Sequence, residues 1–106
     1  MVNFEEFKKI ELKIGKIKEA TALAGSNKLL VLKIDLGEEV RRILAGIAKS
    51  YSPESLIGKE VVVAVNLEPR QIMGLESEGM VLAVGTEKGP ILITPEKEVL
   101  PGSKVS

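Results

Sequence analysis

The fold of this chain is decided by one stretch, Val61-Val62-Val63-Ala64-Val65, together with the residues that follow it up to Val84. Five consecutive apolar residues, four of them β-branched, predict a central strand that is buried on both faces. Pro69 to Gly74 predicts a loop after that strand, and Gly79 to Val84 predicts the next strand. The centre of the molecule is therefore expected to be a sheet of short strands.

Three further strands are predicted upstream, where apolar residues alternate with charged ones. The first begins at Ile10 and continues past Gly15, where we expect a bulge. The second runs from Leu30 to Gly37 and the third from Val40 to Ala45. Glu38-Glu39 between them is predicted to be a hairpin turn, and the adjacent Arg41 and Arg42 of the third strand predict that one arginine points away from the core.

Two short helices and a final strand complete the pattern. Asn3 and Glu6 have the spacing of a capping box at the start of one helix. Pro53, with Gly58 as the end signal, predicts a helical turn between the third and fourth strands. Ile91-Leu92-Ile93 is the last clear strand, and an extended C-terminal segment follows it.

The predicted fold class is all-β. Five or more short strands with one helical element between the third and the fourth are typical of an OB-fold, a five-stranded Greek-key barrel. A β-sandwich is the main competitor. A length of 106 residues indicates one domain. Barrels of this kind leave a strand face and its flanking loops free to bind a ligand.

The composition restricts the chemistry that this chain can perform. It has no cysteine and no histidine, which excludes disulfides, Cys/His zinc sites and histidine acid–base catalysis. The acidic residues are scattered, and no carboxylate pair stands out. We therefore expect a binding protein rather than an enzyme, with no cofactor and no metal. The N-terminus has no secretion signal and there is no long apolar run, so a cytoplasmic location is the simplest expectation.

The net charge is zero, but its distribution along the chain is uneven. Residues 1–50 contain ten Lys and Arg against seven Asp and Glu, a balance of +3, and residues 51–106 contain five against eight, a balance of −3. A basic face is compatible with this distribution, although charge alone favours an ordinary solvated surface.

Six blocks of the chain stand out when they are taken in order: Gly25-Ser26-Asn27-Lys28-Leu29, Ile34-Asp35-Leu36-Gly37, Ala45-Gly46-Ile47, Tyr51-Ser52-Pro53-Glu54, Asn66-Leu67-Glu68-Pro69-Arg70 and the run from Gly74 to Ala83. Together they resemble the structure-specific tRNA-binding domain found in many methionyl-tRNA synthetases and in separate tRNA-binding proteins. Similarity extends from about Phe4 to the C-terminus, which makes it more specific than any single motif.

The resemblance implies an auxiliary, non-catalytic protein that binds the outer corner of folded tRNA without reading much sequence. It also implies a homodimer, with residues 87–106 as the dimerisation extension, and association with a synthetase as the β subunit of the methionyl enzyme. The chain lacks both nucleotide-binding signature motifs of that enzyme's catalytic domain. It would therefore assist aminoacylation without performing it.

Five positions match the binding residues of the family: Lys28, Asn66, Arg70, Ser77 and Met80. Lysine and arginine neutralise phosphates, asparagine and serine bond phosphate, ribose or base edges, and methionine offers a soft apolar contact to a base. Lys33 and Arg42, on strands of the expected binding face, are second-rank candidates.

Two features leave an alternative open. Glu68 and Gln71 make the predicted binding edge less basic than in many relatives, and Tyr51 is the only aromatic residue beyond Phe7, so stacking platforms are scarce. The same fold also occurs in an export-associated chaperone that binds unfolded peptides, which this chain resembles in Val2-Asn3-Phe4-Glu5 and in the segment from Pro53 to Lys59. The blocks at residues 45–47 and 77–80 favour the tRNA branch.

Overall fold

The computed structural model describes residues 1–106 and contains ten strands and two short helices. In chain order these are α1 (Phe4–Phe7), β1 (Leu12–Ala22), β2 (Leu30–Asp35), β3 (Val40–Ala45), α2 (Pro53–Leu56), β4 (Glu60–Ala64), β5 (Arg70–Ile72), β6 (Leu75–Ser77), β7 (Met80–Val81), β8 (Ala83–Thr86), β9 (Gly89–Leu92) and β10 (Lys104–Val105). The prediction of an all-β fold is confirmed. Each helix has four residues, and neither is long enough to cross a bilayer.

Five strands form a nearly closed antiparallel barrel. Their order is β3-β2-β1-β4-β7, and α2 lies between β3 and β4, as predicted. The barrel closes where β3 meets residues 76–79, since the Glu78 N–H donates to the Arg42 carbonyl at 2.9 Å. This is the OB-type barrel expected from the sequence. A sandwich of two packed sheets is not formed, because a single sheet curls round to its own edge.

The central strand β4 is buried along its whole length, as its apolar sequence predicts. Val61 and Val63 lie in the barrel core with no exposed surface, packed with Ile17, Leu32 and Ile43. The edge of β4 that does not pair with β1 pairs with β7 and continues its hydrogen bonds to the chain that follows β7. The Leu82 N–H donates to the Val62 carbonyl at 3.0 Å, and the Val62 N–H donates to the Ile93 carbonyl at 3.3 Å.

The prediction of a bulge at Gly15 is wrong. Gly15 lies in regular register opposite Val61, and the ladder between β1 and β2 is irregular between Ile17 and Glu19 instead. Glycine is needed at position 15 for packing, because a Cβ atom there would overlap the side chain of Ile34. The sequence signal was real, but it reported close approach rather than a bulge.

The loop predicted from Pro69 to Gly74 contains a strand. β5 pairs with β6 through Arg70–Ser77, Gln71–Glu76 and Ile72–Leu75, which leaves a two-residue turn. Both turn residues have positive φ, 49° at Met73 and 82° at Gly74, as a type I′ hairpin turn requires. The strand expected from Gly79 to Val84 is correspondingly split at Leu82 into β7 and β8.

The two chain ends are tied to the start of β1. The Asn3 Oδ1 accepts from the Glu6 N–H at 2.9 Å, which confirms the N-cap of α1. At the other end β10 pairs with β1, with Val105 opposite Leu12. The Gly102 N–H donates to the Ile14 carbonyl at 2.7 Å, so the last residues extend the barrel sheet.

Candidate nucleic-acid interface

Three segments meet at one end of the barrel and form what we call the loop edge: the β1–β2 loop (residues 23–29), β5 with the turn that follows it (residues 70–74) and the end of β3 with the chain after it (residues 45–48). The Ala48 N–H donates to the Lys28 carbonyl at 3.0 Å, which joins the first segment to the third. A Cβ atom on Gly25 would lie 3.5 Å from the Met73 methyl carbon, which places the hairpin tip beside the first loop. OB-type barrels use such loops to bind oligonucleotides and oligosaccharides.

Lys28 is presented to solvent by a well-held loop. The Ser26 Oγ accepts from the Leu29 N–H at 3.1 Å and from the Lys28 N–H at 3.3 Å, which fixes the backbone. Lys28 is exposed, and its ammonium group forms no ion pair. The loop therefore holds one cation free for a partner.

Arg70 and Met80 line the same groove at the loop edge. Arg70 is exposed at the start of β5, and its guanidinium makes no hydrogen bond or ion pair within the chain. Met80, on β7, is 43% exposed. The apolar groove has a volume of about 250 Å³ and is lined by Leu44, Ala45, Gly46, Ile47, Arg70, Met80, Val81, Ala83, Pro90 and Leu92.

Ser77 is buried, with 3% of its surface exposed. Its Oγ accepts from the Leu44 N–H at 3.0 Å and donates to the Gly79 carbonyl at 3.1 Å. The hydroxyl thus supplies bonds between β3 and the chain before β7, at the place where the barrel closes. The structure gives Ser77 a role in this closure and does not present its hydroxyl to solvent.

Asn66 is exposed, but both ends of its side-chain amide are engaged. The Oδ1 accepts from the Glu11 N–H at 2.8 Å, and the Nδ2 donates to the Lys9 carbonyl at 2.6 Å. These bonds attach the end of β4 to the segment that joins α1 to β1. Asn66 therefore belongs to the opposite side of β4 from the apolar groove.

The second-rank candidates Lys33 and Arg42 lie directly opposite each other on β2 and β3. Lys33 is exposed and forms no ion pair. Arg42 is partly buried, and its Nε donates to the Glu76 carbonyl at 3.1 Å. Its backbone N–H donates to the Glu78 carboxylate at 3.0 Å. Arg42 thus touches the hairpin that carries Arg70, while Lys33 lies one strand further away.

Both adjacent arginines of β3 lie outside the buried core and are partly exposed, and Arg42 shares its face of the sheet with the exposed Lys33. The Arg41 guanidinium donates to the carbonyls of Val65 and Glu78, the latter at 3.2 Å, and its Nε donates to the Glu39 carboxylate at 2.8 Å. The hydrogen bond from Arg41 lowers the pKa of Glu39, and the same bond raises the pKa of Arg41. We call this region, residues 41–44 of β3 facing residues 76–79, the closure seam.

Two features of the loop edge were missed by sequence reasoning. Met73 is 56% exposed at the hairpin tip and holds a φ of 49°, which non-glycine residues adopt infrequently. Gly46 lines the apolar groove, and a Cβ atom there would have no atom within 4 Å. The sequence signal for the turn at Met73 was its position before a glycine, between the two short runs Arg70-Gln71-Ile72 and Leu75-Glu76-Ser77. Gly46 had no sequence signal beyond its place in the Ala45-Gly46-Ile47 block.

These features define an OB-type barrel with two exposed, unpaired cations at its loop edge. The family model described as "Putative tRNA binding domain" matches residues 12–104. Because that match covers most of the chain, the chain belongs to the tRNA-binding domain family. It is related to methionyl-tRNA synthetases and to free-standing proteins of the same fold.

Three similar proteins illustrate the range of this family. The methionine–tRNA ligase of Helicobacter pylori strain J99 is 51% identical over 106 residues, which cover 99% of this chain and 16% of that protein. The structure of a MetRS related protein from Pyrococcus horikoshii matches with a TM-score of 0.93 and 38% identity, covering 100% of this chain and 98% of that one. The structure of chaperone CsaA from Bacillus anthracis matches with a TM-score of 0.90 and 36% identity, covering 100% and 99%.

Proposed function

We propose that this chain binds folded tRNA through the loop edge, in the cytoplasm, as a homodimer that serves a methionyl-tRNA synthetase without performing catalysis. One observation carries the proposal: the tRNA-binding family matches residues 12–104, and the loop edge holds the unpaired cations Lys28 and Arg70 on adjoining segments. Unpaired cations neutralise phosphates without first breaking an internal ion pair.

The residues that match the family pattern are proposed to act in two ways. Lys28 and Arg70 contact phosphates, and Met80 contacts an apolar part of the RNA beside them. Ser77 supports the binding surface through the barrel closure, and Asn66 attaches the end of β4 to the segment before β1, because their polar atoms are bonded within the chain. Arg42 supports the hairpin through the Glu76 carbonyl, and Lys33 adds a more distant positive charge.

A mobility-shift titration tests the tRNA-binding function. The protein is titrated against folded tRNA and against an unstructured RNA of equal length, each at two salt concentrations. We expect tighter binding of the folded RNA and an affinity that falls as salt rises, since phosphate contacts release counterions. Equal affinity for the two RNAs would contradict the proposal.

The homodimer is proposed from the apolar surface of the C-terminal region, residues 87–106, and the strand beside it. Val84 and Ile91 lie opposite each other in the β8–β9 ladder and are 51% and 53% exposed, and Leu100 is 80% exposed. Burying such side chains against a second copy is favourable. Sedimentation equilibrium should give twice the chain mass of 11.4 kDa, and Ile91→Glu should reduce it to one chain. Lys97→Glu, an exposed change in the same segment, is the control.

Tethering to a synthetase would raise the local concentration of tRNA without adding a catalytic group. Adding this protein to a methionyl-tRNA synthetase from the same source is expected to lower the apparent KM for tRNA and to leave kcat unchanged. An unchanged KM would contradict the assignment as a synthetase subunit and would leave tRNA binding itself untouched.

A second candidate function is peptide binding, which is favoured by the structural match to chaperone CsaA over the full length of both chains. The apolar groove could take an apolar side chain. Aggregation of an unfolded client protein measures this function. Suppression of aggregation combined with no tRNA binding would replace the first proposal with the second.

A further inference from the structure

The apolar groove at the loop edge is an open surface feature that the closure of the barrel does not require. We propose that it receives one unpaired, unstacked base of the bound RNA, with Arg70 at its rim. This inference rests on the proposed tRNA-binding function and specifies which part of the RNA occupies which part of the surface.

The size and lining of the groove suit one small group that has both apolar and polar surface. Its volume of about 250 Å³ lies just below the range of roughly 300–1,000 Å³ that drug-sized ligands occupy. Seven of its ten lining residues are hydrophobic, and Met80 supplies a polarisable thioether at the surface. The groove is therefore suited to one ring system, not to a longer segment of chain.

The charge at the rim favours a nucleotide over a peptide side chain. Arg70 is the only charged residue that lines the groove, and no acidic residue does. A guanidinium stacks over a base and also bonds a phosphate in bidentate geometry, so one side chain serves both parts of a nucleotide. Lys28, bonded through its carbonyl to Ala48 next to the groove, brings a second cation close by.

The scarcity of aromatic residues shapes this site. Tyr51 packs against the core, and its hydroxyl accepts from the Leu92 N–H at 3.1 Å, so its ring is not a free stacking platform. Base-specific recognition of RNA ordinarily targets unpaired bases that are splayed out of the helix. Here the aliphatic walls of the groove and the Arg70 guanidinium take the place of stacking rings.

Gly46→Leu tests the inference by adding a large apolar side chain to the lining of the groove. A Cβ atom on Gly46 meets no atom within 4 Å, and its backbone does not have positive φ, so a leucine is accommodated there without straining the core. Gly85→Leu is the matched control, because Gly85 has equally open space and does not line the groove. Ala83→Leu, on an exposed lining residue, is a second way to fill the groove if Gly46→Leu fails to fold.

Two measurements are made on each variant with folded tRNA: the affinity, and the protection of bases and backbone from chemical probes. For the wild type we expect an unpaired base to be protected from dimethyl sulfate or carbodiimide. Gly46→Leu should expose that base and weaken binding about tenfold, because the base loses its contact with the groove. The hydroxyl-radical footprint of the backbone should remain, since the phosphate contacts are kept.

The outcomes separate the two proposals. Failure of the wild type to bind tRNA would overturn the proposed function itself. Normal tRNA binding without a protected unpaired base, or a base that stays protected in Gly46→Leu, would overturn the groove assignment alone. If Gly46→Leu abolishes the suppression of client aggregation and leaves tRNA affinity and protection unchanged, the groove takes a peptide side chain, and the inference is likewise overturned.

Discussion

The closure seam and the loop edge lie side by side at one end of the barrel, yet they use polar side chains in opposite ways. At the seam, Arg41, Ser77 and Glu78 are bonded to backbone groups of neighbouring strands. At the loop edge, Lys28 and Arg70 have no side-chain partner within the chain. The residues that match the family pattern therefore fall into two groups, those whose polar atoms are bonded within the chain and those whose polar atoms are free.

Ser77→Ala should have the largest effect and should act on stability. It leaves the buried Leu44 N–H and the Gly79 carbonyl without their partner, and each lost partner of a buried polar group costs about 1–3 kcal/mol. We expect the free energy of unfolding in urea to fall by about 3 kcal/mol. Ser55→Ala is the control, because Ser55 is exposed and its Oγ donates only to the nearby Ser52 carbonyl. Equal losses of unfolding free energy in the two variants would show that Ser77 contributes no more to stability than an exposed serine does.

Arg70→Ala should act on binding instead. Arg70 has no internal partner, so the free energy of unfolding is expected to stay unchanged. The free energy of tRNA binding should weaken by about 2 kcal/mol if the contact is bidentate. Lys88→Ala, which removes an exposed cation from the β8–β9 turn, should leave affinity nearly unchanged. A silent Arg70→Ala together with a silent Lys28→Ala would place the RNA site elsewhere.

The sequence predicted the barrel strands and missed the details that depend on contacts between distant residues. The alternation of apolar and charged residues and the apolar run at residues 61–65 are local sequence patterns that indicate which residues are buried. β1 to β4 could therefore be predicted from them. β5 and β6 have three residues each and turn at Met73, a residue without a strong turn preference. β5 was therefore predicted to be part of the loop from Pro69 to Gly74, and β6 was not predicted.

The same limit applies to the site. Lys28, Arg70 and Met80 were predicted and lie exposed at the loop edge. Ser77 and Asn66 bond to Leu44 and Glu11, which are 33 and 55 positions away, and no local pattern reveals such partners. The sequence alone does not show whether a serine or an asparagine in a family motif binds RNA or holds two strands together.

Asn66→Ala tests whether Asn66 belongs with the seam or with the loop edge. Loss of its two exposed hydrogen bonds should lower the free energy of unfolding by about 1 kcal/mol and leave the salt dependence of tRNA binding unchanged. Asn66→Asp keeps the acceptor for Glu11 but turns a carboxylate oxygen toward the Lys9 carbonyl, so it should recover little of the stability that Asn66→Ala loses. A large loss of tRNA affinity with normal stability would move Asn66 to the ligand-binding group.

Lys28→Ala should have a smaller effect on affinity than Arg70→Ala, because a lysine forms no bidentate contact. The substitution should also change how strongly the tRNA affinity depends on salt. Removing one phosphate contact should reduce the slope of log affinity against log salt by about one. Lys18→Ala, an exposed lysine on β1, is the control. An unchanged slope would show that Lys28 does not reach a phosphate.

The smallest effect on stability is expected from Glu39→Gln, because Glu39 bonds Arg41 of the closure seam from outside it, and this effect depends on pH. The hydrogen bond and charge of Arg41 lower the pKa of Glu39 below its ordinary value of 4.5, so the folded state favours the ionised carboxylate. A lowered pKa stabilises the fold above the ordinary value and loses that contribution as pH falls through the folded value. The melting temperature of the wild type should therefore exceed that of Glu39→Gln slightly near neutral pH, and the difference should shrink as pH falls below 4.5 and vanish once the pH is below the lowered pKa of the folded state. Because Glu39 is exposed, the difference should also shrink in high salt, whereas the Ser77→Ala loss should not. A Glu39→Gln difference that persists at low pH would show that the seam depends on the shape of this side chain and not on its charge.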